Sequence, residues 1–472
     1  MFCDHPPDEK GPVVRQKFQF ATHRLRRHPA ALVIATFLAT TSTATGQDAP
    51  KPEKDKADPN AATAVGDDDP TRKAANISWN PKTTYAEWKN LEKVRFVEFD
   101  SKLKAASLTD AEKKPLLKHL TNQINGLTIE QNVDRHNIIV ENIARACEQP
   151  GTSPVARDFL FENILKQVEP LLKNQPPNVQ YSLVLLVARL NAKPADQNKR
   201  IPAQPYPGSQ QILMKVLLDE MMPISARIMA VHGLDRLMRD GDISTVDKSN
   251  IGVALAKALG QKVDNPLARK WYRRRLVTAL GVTGRYEETG YRPVMIDALM
   301  EVITNPKDDW EVRAAAARSV SQLPLDNKVN VELVNYEIVR LLHDLAVAYT
   351  ASDKTPPSMW RWAFDDIYLA YKSATAAEQT AKHWGLLHLN TPKGAEQIKS
   401  AYKVVLPVLK PVLESQSLPT LDAKAIKAVE EWLKANNVND RKVTPGSGDL
   451  KAPAGGAPQA AAIGAGGAPG GK

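Results

Sequence analysis

The stretch Asp308-Asp-Trp-Glu-Val-Arg-Ala-Ala-Ala-Ala-Arg-Ser-Val-Ser-Gln-Leu323 carries the strongest fold signal in the chain. Wound as an α-helix, it brings Val312, Ala315, Ala316, Ser319, Val320 and Leu323 to one face. Small side chains on that face let a second helix approach closely. The apolar residues do not alternate as they would in a half-buried strand.

Working outward, the same spacing returns: an arginine followed seven residues later by an apolar or aromatic residue. It occurs at Arg227/Leu234, Arg269/Leu276, Arg313/Val320 and Arg361/Tyr368, with successive arginines 42, 44 and 48 residues apart. Upstream, Gln180/Val187 and Arg135/Asn142 keep the period without the motif. Apolar runs at 211–222, 251–259 and 293–303 precede three of these units, so each unit reads as helix, turn, helix. With its Asp, its Val-Arg pair and its Ala-rich face, the 308–323 segment resembles the second helix of a HEAT repeat. The resemblance is near-consensus there and weaker over about residues 135–370. It implies an all-α, HEAT/armadillo-like α-solenoid of stacked helix pairs, which bury on their neighbours the apolar faces they cannot bury alone. An irregular helical bundle is the competing expectation. Elsewhere, Thr109 and Glu112 form a capping box ahead of Leu116, Leu117 and Leu120. Lys93–Phe99 is ambiguous between strand and helix, and its neighbours Trp88, Leu91 and Leu103 favour helix.

The two ends read differently. Arg24, Arg26 and Arg27 precede a short apolar run, Ala30–Ala39, followed by small polar residues with Ala44 and Gly46 placed for a cut before Gln47. That is the order of an export signal, so residues 1–46 are expected to be removed and the protein to be periplasmic or extracellular. An uncleaved signal anchor is the alternative. The run is about half the roughly 20 residues a permanent span needs. Residues 47–78 are expected to form a disordered linker and 438–472 a flexible Pro/Gly/Ala-rich tail, leaving 79–437 as the helical domain. Removing the signal takes away six Lys/Arg and three Asp/Glu, which lowers the formal charge from +10 to +7. Such a charge on a long chain is well below that of a dedicated nucleic-acid binder. Only Cys3 and Cys147 occur among 472 residues. A disulfide scaffold or a cysteine-based metal site is thereby excluded, and Cys147 reads as a small buried hydrophobe.

The candidate contact residues centre on Arg269-Lys-Trp-Tyr-Arg-Arg-Arg275, which interleaves cations with aromatics as anion- and base-gripping surfaces do. On a helix Trp271, Arg274 and Arg275 share one side, while Tyr272, Arg273 and Leu276 share another. Packing of the aromatics with solvated arginines is the plainer reading of the same run. A polar, Pro-rich insertion between Leu190 and Gln210, containing Tyr206, is expected to be a loop without structure of its own that touches a partner or simply covers the surface. Met359-Trp-Arg-Trp-Ala-Phe364, with Trp310 and Trp384, reads as core aromatics. His383 and His388 lack the spacing of a zinc pair, no G-x-S-x-G occurs, and the terminal Gly-rich run lacks the Ser/Thr of a phosphate loop. Asn76-Ile-Ser78 matches a glycosylation acceptor. No cofactor motif is read. The function these features favour is a non-catalytic exported scaffold that binds another protein. The alternatives are an enzyme whose site is assembled from several helices, and attachment to an anionic envelope polymer or nucleic acid through 269–275.

Overall fold

The computed structural model describes residues 79–93, 97–149, 151–196, 198–372, 385–389 and 394–451. The expected signal, the linker, Asn76, His383, Trp384 and residues 452–472 lie outside them. Sixteen α-helices make up most of what is described. In chain order the first eight are α1 (Tyr85–Lys93), α2 (Val97–Leu103), α3 (Asp110–Gly126), α4 (His136–Glu148), α5 (Pro154–Leu171), α6 (Pro177–Arg189), α7 (Gln210–Leu218) and α8 (Ile224–Asp240). The remainder are α9 (Thr245–Leu259), α10 (Pro266–Leu280), α11 (Val294–Thr304), α12 (Trp310–Val320), α13 (Val331–Ala351), α14 (Pro357–Tyr371), α15 (Ala395–Glu414) and α16 (Ala423–Ala435). The ambiguous stretch before Phe99 is helical on either side of residues 94–96. Among the described helices none is long and apolar enough to cross a membrane.

Local chemistry explains where the helices begin. Pro154, Pro177, Pro266 and Pro357 open α5, α6, α10 and α14, where a missing N–H costs no helical hydrogen bond. Ser153 Oγ accepts the Ala156 N–H at 3.2 Å, Ser244 Oγ that of Asp247 at 3.1 Å, and Asn265 Oδ1 that of Ala268 at 2.9 Å. The Glu112 carboxylate accepts the Thr109 N–H at 3.0 Å and a Lys102 Nζ donor at 2.9 Å. The backbone bond to Thr109, then Lys102, hold that carboxyl down to about 2.

Helix ends in the central units share one solution. Arg313 Nε donates to the Ile303 carbonyl at 3.0 Å near the end of α11, and Arg273 Nη1 donates to the Leu259 carbonyl that closes α9. At α7, Gln261 Nε2 donates to the Leu217 carbonyl at 3.2 Å, and Gln261 Oε1 accepts from Arg227 Nη1 at 3.0 Å and Tyr272 Oη at 2.9 Å. Carbonyls with no partner inside their own helix are thus satisfied by the following helix at α9 and α11, and at α7 by Gln261 from the turn after α9. The repeating arginine expected at 269 differs: Arg269 is exposed, and its place at the helix end is taken one turn later by Arg273.

Packing follows the order of the chain. The pairs α7/α8, α9/α10 and α11/α12 are in contact, and α4, α6, α8, α10, α12 and α14 pack in series, each on the next. Helices α7, α9, α11 and α13 do the same, and α15 and α16 close against α13. Close crossings carry small residues. A Cβ on Gly281 would lie 2.9 Å from Ser319 Cα, and one on Gly233 would lie 2.9 Å from Ala188 Cβ. Helix α12 is buried nearly all round, Ala314 and Ala317 included, because α10, α11 and α14 all pack on it. Its interior is therefore broader than the single face expected. Cys147 is buried, and burial pushes its thiol up to about 12.

Two expectations are corrected. The 190–210 insertion is structured: β1 (Asn191–Lys193) pairs antiparallel with β2 (Gln204–Pro205), Asp196 bridges Ile201, and a 3-10 turn follows at Pro207–Ser209. It is held by Arg157 Nη1 donating to the Ala192 carbonyl at 2.9 Å and by the Tyr206 ring against Phe161, with centroids 4.4 Å apart. Residues 438–451, assigned to the flexible tail, instead lie against the helices. The Asn330 N–H donates to the Val443 carbonyl at 2.7 Å, Ser447 Oγ to Asp297 Oδ1 at 2.6 Å, and Lys442 bridges Asp449. Val443 is fully buried, and Val438 and Leu450 pack on the core, so three apolar anchors outweigh the Pro/Gly-rich composition.

Candidate functional site

The helix series α8, α10, α12 and α14 encloses a cavity of about 270 Å³. Its lining comes from all four: Arg239 from α8, Trp271, Arg274, Arg275 and Thr278 from α10, Ala315, Arg318 and Ser319 from α12, and Asp366 from α14, with Gln322 just beyond α12. The two-sided reading of the 269–275 run is reproduced here. Trp271, Arg274 and Arg275 face the cavity, whereas Tyr272 and Leu276 are buried in the helix interface.

The charges are unevenly matched. Arg239 Nε donates to both Asp235 oxygens, at 3.0 and 3.1 Å. Asp366 is buried, and it accepts from Arg274 Nη2 at 3.1 Å and from Arg318 Nη1 at 3.3 Å. Among the described residues the Arg275 guanidinium forms neither a hydrogen bond nor an ion pair, although Asp235 acts on it at longer range. Burial pulls it below its usual range, Asp235 opposing and Arg274 adding. Burial also lowers His232 and Arg236 on α8, with Asp235 opposing at His232 and Asp240 and Glu148 opposing at Arg236. Asp365 is pushed up by burial and by neighbouring Asp366, with Arg318 and Arg274 opposing.

Two tryptophans flank this cluster. Trp271 and Trp362 are 41% and 42% exposed, their ring centroids lie 6.4 Å apart edge to face, and the Arg274 guanidinium sits 5.0 Å from the Trp362 centroid. Trp362 therefore departs from the expected core role, while Trp360 and Phe364 of the same run are buried.

The remaining candidates lie elsewhere. Arg273 is committed to Asp308 along one edge of its guanidinium, with Nε to Oδ1 at 2.7 Å and Nη2 to Oδ2 at 2.8 Å, and to the Leu259 carbonyl through Nη1, so it is not available to a ligand. Arg269 is exposed and does not line the cavity. Tyr206 belongs to the hairpin region, packed on Phe161. Arg239, Arg318, Trp362 and Asp366 were missed in the sequence, yet a signal for the site was there. The position five residues beyond each repeat arginine reads His232, Arg274, Arg318 and Asp366, and the last three line the cavity. Such a set can hold an oxyanion by charge-assisted hydrogen bonds and contact apolar matter beside it. Among the described residues no group of three or more His, Cys, Asp or Glu gathers as a metal site would require. Comparisons with family models, with curated proteins and with solved structures give no match to this chain.

Proposed function

We propose that this chain is an exported, non-catalytic helical-repeat protein of the HEAT-like α-solenoid kind, which binds another protein along the face of its α8–α10–α12–α14 series. Export rests on the basic-then-apolar order of Arg24–Ala39. The repeat reading is supported by the pairing of α7/α8, α9/α10 and α11/α12 and by the packing of each central helix on its next-but-one neighbour. The observation that carries the function is the convergence of four successive helices on one cavity, with cations inside and exposed tryptophans beside it. Arg and Trp are the side chains most concentrated where proteins grip one another. Among the described lining residues the one carboxylate, Asp366, is already engaged by the guanidinium groups of Arg274 and Arg318.

The test is site-specific photo-crosslinking of the intact protein in the cells that make it. A photoreactive residue at Trp271 should trap a protein partner, and one at Met221, exposed beyond the end of α7, should not. Trapping at Met221 but not Trp271, or no adduct at either, would overturn the proposal.

A further inference from the structure

The partner-binding reading leaves open what enters the cavity. Resting on that reading, we infer that Arg275 is the receptor for a single carboxylate on an acidic peptide segment of the partner, with Trp271 packing against the peptide beside it. Of the four arginines lining the cavity, Arg239 is matched by Asp235, and Arg274 and Arg318 share Asp366. Arg275 is the remainder, half-buried and aimed into space that no other described side chain fills.

A guanidinium that makes no hydrogen bond or ion pair among the described residues can take a carboxylate, whose two oxygens fit its fork with parallel N–H donors. The exposed indole of Trp271 in the same lining offers apolar area that a bare ion does not use and a peptide chain does. The neighbouring arginines also raise the local concentration of acidic segments before contact.

The probes are short peptides carrying one glutamate next to an apolar residue, the same peptides with glutamine, and inorganic phosphate, each titrated into the intact protein. The glutamate peptides should bind and weaken as salt rises, and the glutamine peptides should bind at least about tenfold more weakly. Arg275→Gln should reduce glutamate-peptide affinity by about tenfold or more with little change in melting temperature, because among the described residues the side chain makes no hydrogen bond or ion pair. Trp271→Ala, at an exposed position, gives a second reading if Arg275→Gln unfolds, and should also weaken the peptides. Equal binding of glutamate and glutamine peptides, unchanged affinity in both variants, binding of phosphate in preference to the peptides, or no binding by any probe overturns the inference. If the Trp271 crosslink still traps a protein in that case, the partner-binding proposal stands and only its carboxylate receptor falls. If nothing is trapped there, the broader proposal fails by its own measurement.

Discussion

Arg273 and Asp308 meet through two parallel hydrogen bonds, 2.7 and 2.8 Å, which tie α10 to the turn that opens α12. Both side chains are largely shielded, 18% and 9% exposed, so the pair is not the weak surface kind. Asn305 Nδ2 also donates to Asp308, at 3.0 Å, and Arg273 closes the end of α9, so one ion pair joins three helices. Replacing Asp308 alone leaves a shielded guanidinium without its anion. Asp308→Ala should cost about 3 kcal/mol of unfolding free energy in urea titration. The double variant Arg273→Met with Asp308→Leu should recover most of that loss, because an apolar pair leaves no stranded charge. A double variant no more stable than Asp308→Ala would contradict this account.

Gly281 follows α10 with an ordinary backbone, φ −62°, so its value is the space it leaves. A methyl group there would meet Ser319 Cα at 2.9 Å and Gln322 Oε1 at 2.8 Å. The Gln322 side chain can swing aside, but the α12 backbone cannot move without disturbing its contacts on α10, α11 and α14. Gly281→Ala should therefore destabilise by about 1–3 kcal/mol. Ser319 and Gln322 also line the cavity, so the variant should weaken partner binding as well as thermal stability. Differential scanning calorimetry and the Trp271 crosslink measure the two effects separately.

His136 is buried, with Nδ1 2.9 Å from Ser182 Oγ, and burial lowers its pKa from 6.5 to about 4, Asp134 slightly opposing. The folded chain thus keeps this imidazole neutral where the unfolded chain protonates it. Below pH 6.5 the unfolded state binds the extra proton, so the stability contributed by the neutral ring is full above 6.5 and is lost as pH falls toward 4. The loss should be on the order of 3 kcal/mol. His232 shifts in the same direction, whereas Glu148, Asp297 and Asp365, raised by burial, act with the opposite sign. The diagnostic is therefore a difference. Wild type should lose more stability than His136→Gln between neutral pH and pH 4.5, and parallel curves would show that His136 is not the group responsible.

Much of this organisation is legible in the primary structure, and what is hidden has physical causes. The helices of 308–323 and its relatives are visible because a period near 3.6 leaves a mark in every few residues. The face of α10 is visible too, since a single helix sorts Trp271, Arg274 and Arg275 from Tyr272 and Leu276 by angle alone. Which arginine stays unmatched is not visible. Asp366 reaches Arg274 across 92 residues and Arg318 across 48, and no local pattern marks a partner so far away. The hairpin around Tyr206 is hidden because its proline-rich composition conceals short backbone pairing and side-chain anchors from other helices. Residues 441–450 are hidden for a related reason: a few anchors at Arg441, Val443 and Ser447 hold a segment whose average composition reads as tail.

Those anchors can be tested at their most buried point. The Glu337 carboxylate is fully buried on α13, 2.5 Å from Arg340 Nη2 and 2.6 Å from Arg441 Nη1, in ion-pair contact at angles outside hydrogen-bond geometry. Arg340 lies one turn along the same helix and stays near whatever the C-terminal segment does, whereas Arg441 reaches Glu337 only when that segment is docked. Arg441→Ala should leave Glu337 with one cation and cost about 2–4 kcal/mol. The loss should also be local at first. Amides of 441–450 should exchange with deuterium much faster in the variant, while those of α10 and α12 keep their protection. Adding Glu337→Gln to Arg441→Ala takes the anion from shielded Arg340 as well and should lower the stability further, with 441–450 still unprotected because the tie to Arg441 is gone. Full protection of 441–450 in Arg441→Ala would mean that Val443, Ser447 and the Asn330 bond hold the segment without it.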